Sequence, residues 1–223
     1  MAKQLRGKTM FAIGHFALGY LTGNGSSRLT KTKVNLPLLL VASVLPDIDL
    51  LLQDVDRGLF MHRGPTHSII TITLFMIPLL VIYRKQALPY FIAVLSHPLI
   101  GDLPTGGVEL LWPASQHWFG GSILPMAGLA EVAAELVLFA VATSLMFWHG
   151  DLKQLLQPNT HNNYLIVAAA TVLVPMFELG RGLEASLPLL LVPSSMFWLI
   201  LFIYSIVNNL RLKDVKGRRV SNG

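Results

Sequence analysis

Two stretches of this chain run without formal charge for the thickness of a bilayer. Residues 64–83 hold no Asp, Glu, Lys or Arg over 20 positions, and residues 185–210 hold none over 26. At about 1.5 Å per helical residue, either stretch crosses a hydrocarbon core about 30 Å thick. Inside lipid every backbone N–H and C=O must find its partner within the chain, which leaves only helices or a closed barrel. A barrel needs strands of about ten residues with alternating polarity, and LPLLLVPSSMFWLILFIYSIV does not alternate. The expected class is therefore all-α, a polytopic transmembrane helical bundle. Composition agrees: 13% of the residues are charged, against about 25% in soluble domains.

Apolar runs, read against Pro, Gly and charge punctuation, give hydrophobic helices at about 10–23, 34–52, 66–83, 86–103, 123–148, 163–180 and 187–210. The first is short for a span, so the expected count is six or seven. No internal repeat or long polar linker divides the chain, and residues 1–223 read as one integral membrane domain. The N-terminal MAKQLRGKTMFAIGHFALGY sets basic residues before an apolar stretch, as a signal peptide does; His15 interrupts that stretch and no small-residue cleavage site follows, so it is read as mature structure. Cysteine is absent, so any metal must be held by nitrogen and oxygen. The net charge of +5 does not point to nucleic acid, because the basic residues are spread over loops. Placing RLKDVKGRR in the cytoplasm puts Arg84, Lys85, Lys153, Arg28, Lys31 and Lys33 there too, 11 Lys or Arg against six on the other side. This follows the positive-inside rule, with Lys3, Arg6 and Lys8 counting against it.

Under that topology the second segment ends outside at Asp47 and Asp49, the third begins outside at His62 and His67, and the fourth ends outside at His97 and Asp102. The first segment starts outside with His15. Seven metal-competent side chains from four segments thus fall at one depth. Ionisable groups at membrane depth cost about 2.5–3.5 kcal/mol each on insertion scales, so they face a cavity or one another. Clustered carboxylates repel unless a cation compensates them. Asp47 and Asp49 point about 200° apart on a regular helix, so sharing an ion requires an irregular end at Pro46. Gly64-Pro65 gives a turn between the two histidines, and Pro98 predicts a kink at His97. Mixed imidazole and carboxylate ligation suits zinc, manganese or iron better than calcium. Against this, a lone interfacial histidine is commonly a hydrogen-bonded surface group, and each aspartate alone reads as a solvated helix end or a turn residue.

Gly14-His15 with Gly19, then LPDID, HRGPTHS and LSHPLIGDLPTGGVELLWP, in that order on hydrophobic segments, closely resemble the YdjM-like inner-membrane metal-dependent hydrolases. The likeness covers roughly residues 10–135 and implies metal-ligand roles for His15, Asp47, Asp49, His62, His67, His97 and Asp102. It names no substrate. One departure stands out: the family pattern carries an aspartate four residues after the fourth-segment histidine, whereas here Gly101 holds that place and Asp102 comes fifth. On a regular helix this turns Asp102 away by about 100°; Pro98 or a π-bulge would restore it.

Arg63, always charged, is a natural clamp for a phosphate or carboxylate, with a headgroup or salt-bridge contact as the plainer reading. Glu131 and Glu135 share one face of the fifth segment, as a polar seam or as supporting residues. Catalytic candidates are Arg63, Asp49 as one of the possible bases, and Glu131. Glu178, Arg181 and Glu184 read as surface ion pairs, His117, His149 and His161 as interfacial residues near Trp112, Trp118 and Trp148, and Thr66 and Ser68 as helix caps. No nucleophile elbow surrounds Ser68, which disfavours a serine hydrolase. The expected function is a hydrolase of the plasma or inner membrane, with a divalent metal, zinc or manganese, on the extracytoplasmic side. Its expected substrate is a phosphoester in a lipid or lipid-linked molecule. The rivals are a metal-ion transporter and a non-catalytic scaffold.

Overall fold

The structure is a computed structural model describing residues 11–52, 61–121, 123–124, 128–178 and 187–221, the side chains of 174–178 and 212–221 excepted. The N-terminal basic stretch, Arg57 and the Glu178–Arg181–Glu184 ion-pair expectation lie outside the described residues or side chains.

Each predicted segment contains helix, although the second is broken after Ser43 and the helix of the fifth begins at Leu129 and not at 123. The helices are α1 (Ala12–Thr30), α2 (Leu36–Ser43), α3 (Asp49–Leu52), α4 (Ile69–Tyr83), α5 (Leu88–Ser96), α6 (Leu129–His149), α7 (Leu152–Leu156), α8 (Leu165–Glu178) and α9 (Val192–Ser221). Three helical stretches are long and apolar enough to cross a membrane: Ile69–Gln86, Leu129–His149 and Leu189–Arg211. Among the described residues three of the expected six or seven spans meet that standard of length and composition. The reason is local: the second segment breaks after Ser43 into a 3-10 turn at Pro46–Ile48, and the fourth gives up α-helical geometry at His97. In both places a proline ends the run of i to i−4 hydrogen bonds.

α1 runs through the middle of the bundle, packed against α2, α5 and α6. Its glycines allow the close approach. A Cβ on Gly19 would interpenetrate Ser43 Cβ at the end of α2, and one on Gly23 would lie 2.5 Å from a Leu39 methyl and 3.0 Å from the Pro89 carbonyl. Phe16, Trp198 and Phe202 pack together at centroid distances of 5.1–5.6 Å, Phe16 meeting Phe202 edge-on, and join α1 to α9. Asn35 starts α2 by accepting from Leu38 N–H, and Ser68 starts α4 by accepting from Ile70 and Thr71 N–H, as expected of a cap. Thr66 does something else, described below.

Side-chain contacts fix the two ends of the bundle. Tyr20 on α1 donates to Asp151 just past α6, the Tyr90 hydroxyl of α5 accepts from Asn35 N–H, and Asn35 also meets His161 before α8. Gln154 of α7 accepts from Leu36 N–H, and Asn208 of α9 donates to the Leu156 carbonyl. This end carries Arg28, Lys31, Lys33, Arg84, Lys85, Lys153 and Arg211. The opposite end gathers the start of α1, the end of α2, the start of α4, the end of α5 and the start of α6.

Candidate metal centre

Four segments deliver the histidines and aspartates to that second end. His15 lies in the first turn of α1, Asp47 in the 3-10 turn, Asp49 at the start of α3, His67 in the turn Pro65–His67, and His97 and Asp102 at the two ends of a π-helical turn. Leu103 N–H bonds to the Pro98 carbonyl, the i to i−5 pattern that inserts one residue into the helix. The insertion brings Asp102 to the face that a regular helix would have denied it, so the fifth-residue spacing is accommodated as the sequence allowed.

At the heart of the site His67 Nε2 and His97 Nε2 stand 3.2 Å apart. Asp47 Oδ1 lies 3.5 and 3.3 Å from them, and Asp102 Oδ2 lies 3.4 and 3.3 Å from them. Each aspartate therefore completes a donor triangle on the shared histidine edge. Three donors about 3.3–3.4 Å apart are what a tetrahedral ion with bonds of 2.0–2.1 Å requires, and a triangle leaves the fourth position open. With His62, and without Asp49, the side chains form two triads, in each of which the ligand atoms lie within 4.8 Å of one another: His15, His97 and Asp102, and Asp47, His62 and His67.

The outer contacts set the ring tautomers. His97 Nδ1 donates to the Ser43 carbonyl at 2.8 Å, which can only accept. His67 Nδ1 faces Asp49 Oδ2 at 3.3 Å and Thr66 Oγ1 at 3.0 Å, while the Thr66 hydroxyl proton goes to Asp49 Oδ2 at 2.7 Å. With Nδ1 of each ring engaged by an acceptor, the two Nε2 atoms are turned toward each other and toward the Asp47 and Asp102 carboxylates. Carboxylates gathered so closely call for positive charge between them, which protons on the rings or a cation in the donor triangles supplies. A carboxylate or carbonyl behind each imidazole is the usual support of a metal-bound histidine. The candidate ligand side chains are almost fully buried, with His62 at 15% the most exposed. Buried atoms without a hydrogen-bond partner include both ring nitrogens of His15, His62 Nε2 and Asp102 Oδ2. The His15 ring stacks on His97 at 3.5 Å, with Nε2 3.8 Å from Asp102 Oδ1.

Three residues take places that the sequence did not foretell. Asp49 stands behind the histidines: Oδ1 accepts from His62 Nδ1 at 3.0 Å and Oδ2 serves His67 and Thr66. Thr66 is thus a partner of Asp49 and not a helix cap. Arg63 is 1% exposed and turned inward; NH2 donates to Asp102 Oδ1 and Thr105 Oγ1, both at 2.9 Å. Its backbone holds φ +63, whereas Gly64, expected to supply the turn, sits at φ −97. A left-handed non-glycine residue costs about 1–3 kcal/mol and persists only where its surroundings enforce it. Gly64 is needed for space instead, since a Cβ there would meet the Met61 carbonyl at 2.8 Å.

Glu131 stands outside both donor triads, buried in the first turn of α6. One turn on, Glu135 accepts Phe11 N–H at 2.7 Å and so secures the start of α1 beside His15. Glu109, a buried residue of the loop 103–121, has its pKa raised from its ordinary value by burial, opposed by a hydrogen bond from Trp118. Ser43 acts through its backbone carbonyl, which no side-chain motif announces. Thr105 lies in the quoted LPTGGV stretch, but its type and position alone carried no signal.

Fold and site together define an all-helical membrane protein with a buried histidine–aspartate cluster able to hold a metal ion. A family model described as YdjM inner membrane protein matches residues 10–180. The chain belongs to that family. No curated protein and no solved structure matches it.

Proposed function

We propose that the chain is a metal-dependent hydrolase of the inner membrane, acting on a phosphoester in a lipid or lipid-linked substrate. The observation that carries this reading is the pair of Nδ1-anchored imidazoles whose Nε2 atoms face each other at 3.2 Å between two aspartates. His67, His97, Asp47 and Asp102 would hold one ion; if two bind, His15 would join His97 and Asp102 at one, and His62 would join Asp47 and His67 at the other. A divalent ion there supplies Lewis acidity toward a phosphoryl oxygen and an acidified water. Zinc or manganese suits the nitrogen and oxygen donors.

The chain's own residues supply the rest. Asp49 fixes the tautomer and direction of His62 and His67, and Arg63 holds the Asp102 carboxylate while bringing positive charge to the site. His62, the most exposed member, marks the side from which substrate arrives. His67 precedes the membrane-crossing stretch Ile69–Gln86 by two residues, so the centre lies near a membrane face. That level favours a substrate whose apolar part stays in the bilayer. Orientation follows from charge: the end opposite the centre carries the exposed basic residues, which favours a cytoplasmic position for it and an extracytoplasmic one for the centre. In this reading α1, α2, α5 and α8 accompany the three long stretches in a bundle of six or seven hydrophobic helices.

A transporter would need ligands leading onward across the membrane. Glu131 and Glu135, the candidates for that path, occupy the first two turns of α6, at the same end as the centre. The test is hydrolysis of phospholipid and isoprenoid-phosphate substrates by purified, metal-restored protein. Turnover is expected for the wild type and its loss for His67→Ala; equal turnover in both rejects the assignment.

A further inference from the structure

The loop 103–121 that follows the π turn holds Arg63 at three points. Glu109 N–H donates to the Arg63 carbonyl at 2.9 Å, Thr105 Oγ1 accepts from Arg63 NH2 at 2.9 Å, and the Gly107 carbonyl lies 3.5 Å from NH1. Together these contacts enforce the left-handed backbone of Arg63 described above.

Asp102 faces the histidines with Oδ2 and gives Oδ1 to Arg63. A carboxylate turns about a single bond, so the partner of Oδ1 decides where Oδ2 points. That partner is itself fixed by Thr105, whose hydroxyl proton goes back to the Asp102 carbonyl at 3.1 Å, leaving an oxygen lone pair for the guanidinium. The contacts form a closed ring: Asp102 carboxylate, Arg63, Thr105 hydroxyl, Asp102 backbone. Gly107 completes the support. It sits at φ +81, where a Cβ would also come within 3.1 Å of the Phe119 carbonyl, and the adjacent Val108–Phe119 pairing closes the loop. The same loop accepts Ile69 N–H at the Leu110 carbonyl and the Ser68 hydroxyl at the Trp112 carbonyl, so it is anchored to the start of α4.

We infer that Thr105, supported by Gly107, is a positioning residue of the metal centre, acting through Arg63 to aim the Asp102 carboxylate. The inference rests on the metal-centre reading above and adds the source of Asp102's orientation. Loss of outer partners at metal sites typically lowers affinity 10–100-fold; Thr105 acts one step further out, so about tenfold is expected.

The experiment uses the full chain in detergent, with Zn2+ affinity measured by competition against a chromophoric chelator and ligand geometry read from the visible absorption of the Co2+-loaded protein. Thr105→Val is expected to weaken Zn2+ binding about tenfold and to shift the Co2+ bands, with Thr105→Ser restoring both. Wild-type affinity and spectrum in Thr105→Val would overturn the inference. Should Thr105→Val not fold, Arg63→Lys decides: the guanidinium fork sets Nη2 on Asp102 and Thr105 and Nη1 toward Gly107, and a lysine, with a shorter side chain and no fork, cannot reproduce that placement, so the same losses are expected and their absence rejects the inference. A wild-type chain that binds neither Zn2+ nor Co2+ instead refutes the metal-centre reading itself.

Discussion

Gly19→Ala should damage the metal centre without touching a ligand. The added Cβ would overlap Ser43 Cβ, and the nearest backbone atom, Ser43 Cα, would lie at 3.1 Å, so a backbone and not a flexible side chain must yield. Restoring ordinary carbon contact means parting α1 from the end of α2 by ~1 Å. Ser43 is the residue whose carbonyl holds His97 Nδ1 at 2.8 Å, and a shift of that size stretches the bond past hydrogen-bonding range. His15 rides on the other side of the same crossing. Overpacking of this kind costs about 1–3 kcal/mol in stability, and freeing the His97 ring should cost a further 10–100-fold in metal affinity. Gly23→Ala is the control, because its Cβ meets chiefly the end of the Leu39 side chain, one turn farther from the histidines. Titration of the apo-proteins with Zn2+, alongside thermal melts, separates the two effects. Gly19→Ala should lose stability and affinity, and Gly23→Ala mainly stability. Wild-type affinity in a folded Gly19→Ala protein would refute the coupling of the α1–α2 crossing to His97.

Asp49→Asn keeps the size of the side chain but loses the charge behind His62 and His67, and should weaken metal binding 10–100-fold, measured by the same titration. Glu135→Gln retains an acceptor for Phe11 N–H and should melt near the wild type, whereas Glu135→Leu strands a buried donor at a cost of about 1–3 kcal/mol, visible as a lowered melting temperature. Because the chain has no cysteine, single cysteines report orientation cleanly. Gln116→Cys should react with an impermeant thiol reagent in intact cells and Lys85→Cys only after permeabilisation; the reverse pattern would invert the topology. Saturating Zn2+ at about 1,000 times its Kd should stabilise the fold by about 4.1 kcal/mol, and chelation should remove that gain in a melting scan.

Much of this was legible in the sequence because the bilayer penalises charge so heavily. The charge-free runs 64–83 and 185–210 became the long stretches around α4 and α9, and seven ionisable residues at matching ends of four segments could be expected to meet. The register of Asp102 was open in the sequence, which allowed Pro98 or a π-bulge to restore it, and the π turn is what forms. What stayed hidden depends on the backbone and on partners distant in sequence. The histidine turn is made by Arg63 and not by the adjacent glycine, because the loop 103–121 grips Arg63 from above. Asp49 and Asp47 look equivalent in LPDID, yet the 3-10 turn sends one to the histidines' metal-facing nitrogens and the other behind their rings. The Ser43 carbonyl and the Thr105 hydroxyl act at separations of 54 and 42 residues, which no local pattern encodes.

The most direct test of the account is the metal content of the purified chain, by elemental analysis after exposure to zinc or manganese and removal of free ion. At least one equivalent per chain should remain bound in the wild type, rising to two if both donor triads fill, and it should be lost in His67→Ala and Asp47→Asn. A folded wild-type chain that retains none, or a His67→Ala chain that retains as much as the wild type, would contradict the claim that these side chains form a metal centre.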